Sequence, residues 1–589
     1  MANNRKTLKD IKGDTPWTDA EERVIAEAPD GHVVLGMDRP EEEGAAPEVR
    51  AELIRHIVLG GCKELRLPER SIAVMGARIT GLLDLDGIDT PRALRLFCCR
   101  FDQRPNLSDA KLGGVYLPGC ALPGLNAQRL RCDKNLFLDK RFHSKGTVDL
   151  KGARISGQLA CVGGRFETPD GIALNGNALQ VGAGALLRDG FHALGTVNLT
   201  GAQITGQLDC TGGRFETPDG MALNGDAMQV GADVFLRDGF HATGKVNLMH
   251  SRVAGSLTAE AGRFEGGFHA EGLHVGAALY WRGLKGFSGP LDLDDAHLGR
   301  LCDDAESWQG VKPLHISGLR YERLDSGMSI GERLRWLSRK AERRIDPAFG
   351  DLVEEQGGKR HVPPPFIRGA YKKQCDPQPY TQLAKVLRAQ GVTQGAARVL
   401  EMRDKRVRRA SYHRAMAQQD GTWRAGWAGQ MAAVMRPVDW LFEYVFGYGH
   451  KPGRALYWVA GLWLLTTALY AQVWAVDQMA PESAIVLTSS GWIDAVHAYE
   501  ADTAGPLPLA LWKGHAASQD YETFNAALYA LDVFIPLDAL GQESAWAPSP
   551  VRGGWGTFGF YAKPALQIAG WLITAVGAAA LTGLVGRKD

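Results

Sequence analysis

The sequence predicts a mainly β protein, a right-handed β-helix followed by helices, on three observations. The first is a repeat with a period of 49 residues, whose copies open at Phe142, Phe191 and Phe240. The copy from Phe142 reads FHSKGTVDLKGARISGQL, that from Phe191 FHALGTVNLTGAQITGQL, and the third is eroded, FHATGKVNLMHSRVAGSL. Similarity at a fixed period marks an array in which each unit covers the apolar face of the next. The second observation is alternation: Val148, Leu150, Ile155, Leu159 and Cys161, then Leu174, Leu179, Val181 and Leu187, interrupted by glycines such as Gly146, Gly152, Gly157, Gly163 and Gly164. Period-two patterning broken by glycine describes short strands joined by tight turns. Two coils of about 24 residues per repeat accommodate it. The third is a five-residue rhythm upstream, Leu107, Leu112, Leu117, Leu122, Ala127, Cys132 and Phe137. That spacing suits neither a helix nor a flat strand, but it suits a coil with short faces.

Elements follow in chain order. Residues 1–64 are expected to form an N-terminal helical cap. Asp19, Glu21 and Glu22 open one helix; Val49, Leu53, Ile54 and Ile57 share a face of a second that stops at Gly60-Gly61. An open coil end exposes strand edges, so a cap is required there. The β-helix is expected over 65–325. A helical linker and αα-hairpin should occupy 326–420, where Leu383, Ala384 and Leu387 precede Gly391, and Ala396, Ala397, Val399 and Leu400 follow it. A basic, amphipathic segment (421–454) should lie along a membrane surface.

Two uncharged runs, 455–475 and 565–586, read as transmembrane helices of the length a bilayer core needs. They enclose a loop (476–564) with a re-entrant helix at FNAALYALDVFIPL, and 587–589 form a tail. Arg403, Lys405, Arg406, Arg408 and Arg409 lead the basic residues before the first run; Lys513, Arg552 and Lys563 alone stand between the runs, against ten acids. Basic residues stay cytoplasmic, so both termini should face inward, with the loop outside. All nine cysteines then lie on the reducing side. The same basic residues, 403 to 409, would attract anionic lipid.

Composition excludes several classes. A formal net charge of +1 argues against a nucleic-acid binder. No two cysteines form CxxC, so no zinc site is expected. Cys161 and Cys210 occupy equivalent positions and read as stacked core. His143, His192 and His241 recur without matched ligand partners and read as exposed turn residues. VGAGALL, from Val181, lacks GxGxxG spacing, and its sister copy carries Asp233 in place of Gly184. Asp84, Asp86, Asp292, Asp294 and Asp295 miss a calcium loop's spacing and belong on outer strand faces. No GxSxG, HExxH or phosphate-loop motif is present. The expectation is no enzyme, no cofactor and no metal.

The motifs VRAELIRHIVLGG, GARITGLLDLDG, PQPYTQLAKVLRAQG, GYGHKPGRAL and NAALYALDVFIPLDALGQESAW, with the coil pattern, resemble one group of bacterial proteins. These carry a pentapeptide-like or bactofilin-like β-helix ahead of a two-span tail and are often labelled membrane-associated oxidoreductases. The resemblance covers most of the chain. It implies membrane anchoring and brings no catalytic residues. The functional expectation is a membrane-tethered scaffold or sensor presenting its β-helix to a protein partner, with membrane lipid as second partner. The alternative is a homo-oligomeric ion pathway or membrane-perturbing effector built from the two-span tail and gated by the β-helix domain, with Asp532 and Asp538 as a ring of loop acids.

Overall fold

A computed structural model describes residues 7–39, 46–62, 64–217, 220–338, 376–417, 453–534 and 540–581; side chains of 411–417, 453–456 and 574–581 are excepted. Two compact units, Met1–Val399 and Leu400–Asp589, divide the chain within the helix Thr393–Ala417.

The first unit is a β-solenoid of about 11 coils. Each repeat supplies two coils, as the sequence implies. A coil such as the one from Phe142 to Gly164 runs through four two-residue strands, His143–Ser144, Val148–Asp149, Arg154–Ile155 and Leu159–Ala160. The first two belong to one long parallel sheet and the last two to the other. Every alternating apolar residue of the repeat is buried, Val148 through Leu187. Coil stacking places Phe142, Phe166, Phe191, Phe215, Phe240 and Phe264 in a file of fully buried rings, 5.2–5.3 Å apart. Phe137 departs from the five-residue rhythm. Leu136 and Leu138 turn inward instead, and Phe137 packs outside, edge-on to Tyr116 at 5.3 Å.

One corner is left-handed in coil after coil: φ is +66° at Gly152, +53° at Ala178, +64° at Gly201 and +54° at Ala227. A Cβ built on Gly201 meets nothing within 4 Å. Gly201→Ala should therefore cost about 1 kcal/mol through backbone strain alone. Ala227→Gly at the next stacked corner should gain about 0.5 kcal/mol, relieved strain outweighing the added unfolded-chain freedom. Urea unfolding of both variants checks the opposite signs.

A ladder of side chains runs beside this corner. Asn175 donates to Asp149 at 3.0 Å, Asn198 to Asn175 at 3.3 Å, and Asn247 to Asn224 at 3.0 Å. Asp84 accepts from Asn106 at 3.0 Å, and both Asp84 and Asp292 also accept a backbone N–H two residues on, closing Asx turns. Asp84 and Asp292 so stand on the outer face; Asp294 turns inward and is buried, receiving the Ser317 N–H.

The parallel ladder reaches back to His32–Val34 and Glu48–Arg50, which pair with Ala73–Met75 and Arg78–Thr80. Helices Asp19–Glu27 and Ala51–Val58 flank these strands, with Leu53, Ile54 and Ile57 buried; Val49 is buried too, but from the strand. Thr18 Oγ1 donates to the Glu48 carbonyl at 2.7 Å and Arg23 to that of Val34 at 2.9 Å. Glu21, fully buried, accepts from the Arg50 guanidinium at 2.7 and 2.8 Å. Burial pushes its carboxyl up, but the bonds from Arg50 and Thr18 hold it below the usual range.

At the other end, the last strand, Arg320–Ser326, lies against helix Gln378–Ala389. Three glutamines donate to backbone carbonyls: Gln378 to Leu319 at 3.0 Å, Gln382 to Tyr321 at 2.6 Å and Gln390 to Leu324 at 2.7 Å. Gly391, at φ +81°, separates this helix from Thr393–Ala417. Leu383, Ala384, Leu387, Ala396, Val399 and Leu400 are buried. Residues 339–375 of the expected helical linker, and 418–452, lie outside the described residues.

In the second unit, helix Ala526–Phe534 packs against Gly453–Ala475 and Gly554–Leu581. The stretch expected as a loop is folded around aromatic side chains: Trp474 stacks on Phe524 at 4.8 Å, Trp512 and Trp546 meet at 6.2 Å, and Tyr470 and Tyr529 at 4.7 Å. The two expected membrane spans are not supported. Both stretches are helical where described, but among the described residues no helix is long and apolar enough to cross a membrane. Trp458, Trp463, Thr466, Thr467, Tyr470, Gln472 and Trp474 dilute the first. The second follows Lys563 and Pro564 and runs past residue 573, beyond which side chains are not described.

Candidate functional site

The solenoid interior is packed with side chains, so its chemistry lies on the outer rows. Parallel stacking aligns one outward residue per coil into a file at a strand spacing of about 4.8 Å.

The first file carries the repeat histidines. His143 pairs with Arg165, Arg165 with His192, His192 with Arg214, Arg214 with His241, and His241 with Arg263 in the strand register. These histidines are strand residues, half-buried, rather than exposed turn residues. Each faces a glutamate of the next coil: His143 and Glu167 at 2.9 Å, His192 and Glu216 at 3.3 Å, His241 and Glu265 at 3.2 Å. The outward alternation that places His beside Arg also sets Glu two residues after each Arg. Burial raises the Glu167 carboxyl, and bonds from His143 and Arg165 outweigh it, leaving it below the ordinary range. The file is charge-balanced.

The second file is not. Asp89 pairs with Lys111, Lys111 with Arg131 and Arg131 with Arg154. Arg154 continues to Gln180, Gln203 and Gln229, then to Arg252. His274, His297 and Arg320 complete it. Every one of these side chains is exposed. Lys111 approaches Asp89 at 3.6 Å; among the described residues Arg131, Arg154, Arg252 and Arg320 form no ion pair with a carboxylate, although Asp109 acts on Arg131 at longer range. Two residues further on, the neighbouring file is small through its middle: Ser156, Gly182, Thr205, Gly231, Ala254 and Gly276, with Asp133 and Glu322 only near its ends. The sequence signal for this track is the polar residue immediately before each inward Ile or Val, in GARI, LQV, GAQI, MQV and SRV. Aligning coils rather than whole repeats brings it out.

A third file bears Tyr116, Phe235 and Tyr280. Arginine guanidinium groups cover their rings, Arg95 at 5.1 Å, Arg237 at 4.4 Å and Arg282 at 5.3 Å.

No protein-family model, curated protein or solved structure matches this chain.

Six of the eight described thiols are buried; Cys62 and Cys98 are half-buried. Cys161 and Cys210 are buried in the core stack, where burial pushes both thiols up; Cys132 is raised to about 12 by the same cause. Among the described residues no three His, Cys, Asp or Glu side chains are arranged to hold a metal. Val181 and Ala185–Leu186 sit in strands around the VGAGALL turn, and Asp233 in the sister copy accepts the Ser256 N–H at 2.7 Å. A recess of about 430 Å³ near the C-terminal coils is lined by Leu284, Phe287, Glu306, Ser307 and Gln309.

In the second unit, Asp532 is 1% exposed, and its carboxylate accepts the N–H groups of Leu540 and Glu543 at 3.3 and 2.9 Å. These bonds engage the carboxylate within its own unit. Asp538 lies outside the described residues. Arg403, Lys405, Arg406, Arg408 and Arg409 share the helix Thr393–Ala417; Arg403 bonds Asp404 at 2.8 Å, while Lys405, Arg408 and Arg409 are exposed. The same unit leaves large apolar side chains in the open: Tyr457 is 81% exposed, Leu465 64%, Tyr561 72% and Trp571 54%.

Proposed function

We propose that this protein is a non-enzymatic scaffold, tethered to a membrane, that offers the outer rows of a capped β-solenoid to a protein partner. The observation that carries the reading is the contrast between a filled interior with withdrawn thiols and outer files of ordered, chemically distinct side chains. A surface repeated at strand spacing presents the same group many times in one line, which suits recognition rather than turnover. In this reading the N-terminal helices and the helix of Gln378, Gln382 and Gln390 cap the two ends. Contiguous exposed apolar surface marks a lipid or protein contact, so the open faces of helices Gly453–Ala475 and Gly554–Leu581 tether the second unit to lipid. The basic residues 403 to 409 add headgroup attraction, about 1 kcal/mol each near an anionic surface.

The test is site-specific photo-crosslinking in cells. A photoreactive residue at Gln203, on the basic file, and another at His192, on the balanced file, should give a discrete protein adduct from one file only. Alanine substitution along that file should abolish the adduct. No adduct from either file, in protein that fractionates normally, would sink the scaffold reading.

A further inference from the structure

We infer that the exposed file from Lys111 to Arg320 is a binding track for a linear phosphate polyanion, inorganic polyphosphate. The inference rests on the solenoid being a binding surface and names a ligand class for one face of it. The argument begins with charge. Five cationic side chains and two histidines stand in a single line, relieved of acid except at Asp89. Lys111, Arg131 and Arg154 stand on successive coils and repel one another, whereas Arg252 and Arg320 are flanked in the file by glutamine and histidine; Asp109 acts on Arg131 from the neighbouring row, but among the described residues none of the four arginines forms an ion pair with a carboxylate. The His143 file shows that this chain supplies glutamates where it balances arginines. Along the Lys111–Arg320 file it supplies Gln180, Gln203 and Gln229 instead, whose amides donate hydrogen bonds without adding charge.

Shape narrows the ligand. The file is one residue wide and bordered by Gly182, Thr205, Gly231 and Ala254, which leave room for a slender chain to lie along it. Arginine forks take phosphate oxygens two at a time, so Arg131, Arg154, Arg252 and Arg320 suit phosphate at each end, with amide donors between. Single-stranded nucleic acid binding adds open aromatic platforms for its bases; here the outward rings of Tyr116, Phe235 and Tyr280 are covered by arginine, and that of Phe137 is half-buried edge-on to Tyr116. A bilayer surface would be met better by a broad basic patch than by a single file. An unbranched chain with a charge on every phosphate and no base or sugar fits what remains.

The test measures binding of end-labelled polyphosphate to the full-length protein by fluorescence anisotropy across a salt series. Affinity should fall with salt, and chains too short to span both arginine clusters should bind more weakly. Replacing Arg131, Arg154, Arg252 and Arg320 together with glutamine should lower the slope of log K against log salt by about 3, at about 0.7 per neutralised phosphate of a single strand. The four lysine replacements, which keep the charge, should hold the slope near the wild-type value. Arg165→Gln with Arg263→Gln, on the balanced file, should leave it unchanged. Binding that survives the four glutamines, or a preference for RNA or anionic vesicles over polyphosphate, would overturn the inference. A protein that forms its face-specific crosslinked adduct yet ignores polyphosphate overturns this inference and leaves the scaffold reading standing.

Discussion

Replacing Arg333 with methionine should lower the unfolding free energy of the solenoid unit by about 3–5 kcal/mol, the cost of stranding a buried carboxylate. Asp303 and Arg333 are 3% and 2% exposed, and the guanidinium meets both carboxylate oxygens, at 2.7 and 2.6 Å. Trp308 Nε1 donates to the same carboxylate at 2.8 Å, and Arg333 also donates to Ser326 Oγ at 2.7 Å. The methionine variant leaves Asp303 with the indole N–H as a neutral partner, in a site with little water to replace the lost charge. Removing both charges, with Asp303→Leu beside Arg333→Met, should recover part of the loss, since what remains is an unpaired indole rather than an unpaired ion. Trp281, Trp308 and Trp336 stack through this end with centroids 6.0 and 5.0 Å apart, so near-ultraviolet dichroism reports on it directly. A loss below 1 kcal/mol in urea unfolding would show that water reaches the pair.

Phe215→Ala should cost a similar amount, about 3–5 kcal/mol, by a different route. Its ring lies between Phe191 and Phe240, each at 5.2 Å, and is fully buried. The substitution removes two ring contacts and opens a void that parallel coils, held at strand spacing on both sides, cannot close. Phe142 begins the file and touches only Phe166 within it, so Phe142→Ala should cost less, by roughly one aromatic pair, about 0.5–1.5 kcal/mol. In a stacked array each coil leans on its neighbours alone. Hydrogen exchange in the Phe215 variant should accordingly rise in the adjoining coils and stay low near Val74 and Leu96. Uniform exchange along the whole solenoid would mean that the coils melt as one.

Much of the solenoid was legible because its two periods are short-range. The 49-residue repeat and the alternation around Ile155 and Leu159 need only local counting, and the residues they select are buried. Phe137 was misplaced because the five-residue rhythm yields to a corner there, and a corner's geometry depends on the coil beneath it. The strands at His32–Val34 and Glu48–Arg50 are three residues long and carry no alternation to read; they become strands only by pairing with Ala73–Met75 and Arg78–Thr80. His143, His192 and His241 were expected in turns because their partners, Glu167, Glu216 and Glu265, stand 24 residues away. Uncharged length with basic flanks marks the spans at 455–475 and 565–586. What it could not foresee was the aromatic packing of Tyr470 and Trp474 within their own unit. The basic file is hidden in the sequence because its members belong to different halves of the repeat and fall into line only coil by coil.

The side chains over the two terminal strands have a consequence for length. Thr18 and Arg23 take carbonyls of the first coil, and Gln378, Gln382 and Gln390 take those at the last. The solenoid thereby occupies some of the backbone acceptors that a further strand would use at either end. It is a ruler of about 50 Å, the span of its coils at strand spacing. Because one repeat is two whole coils, excising Phe191 to Gly239 would shorten the ruler by about 10 Å while returning every outward row to its own face. Reach and surface chemistry can therefore be altered separately, one by the number of repeats and the other by single residues within them.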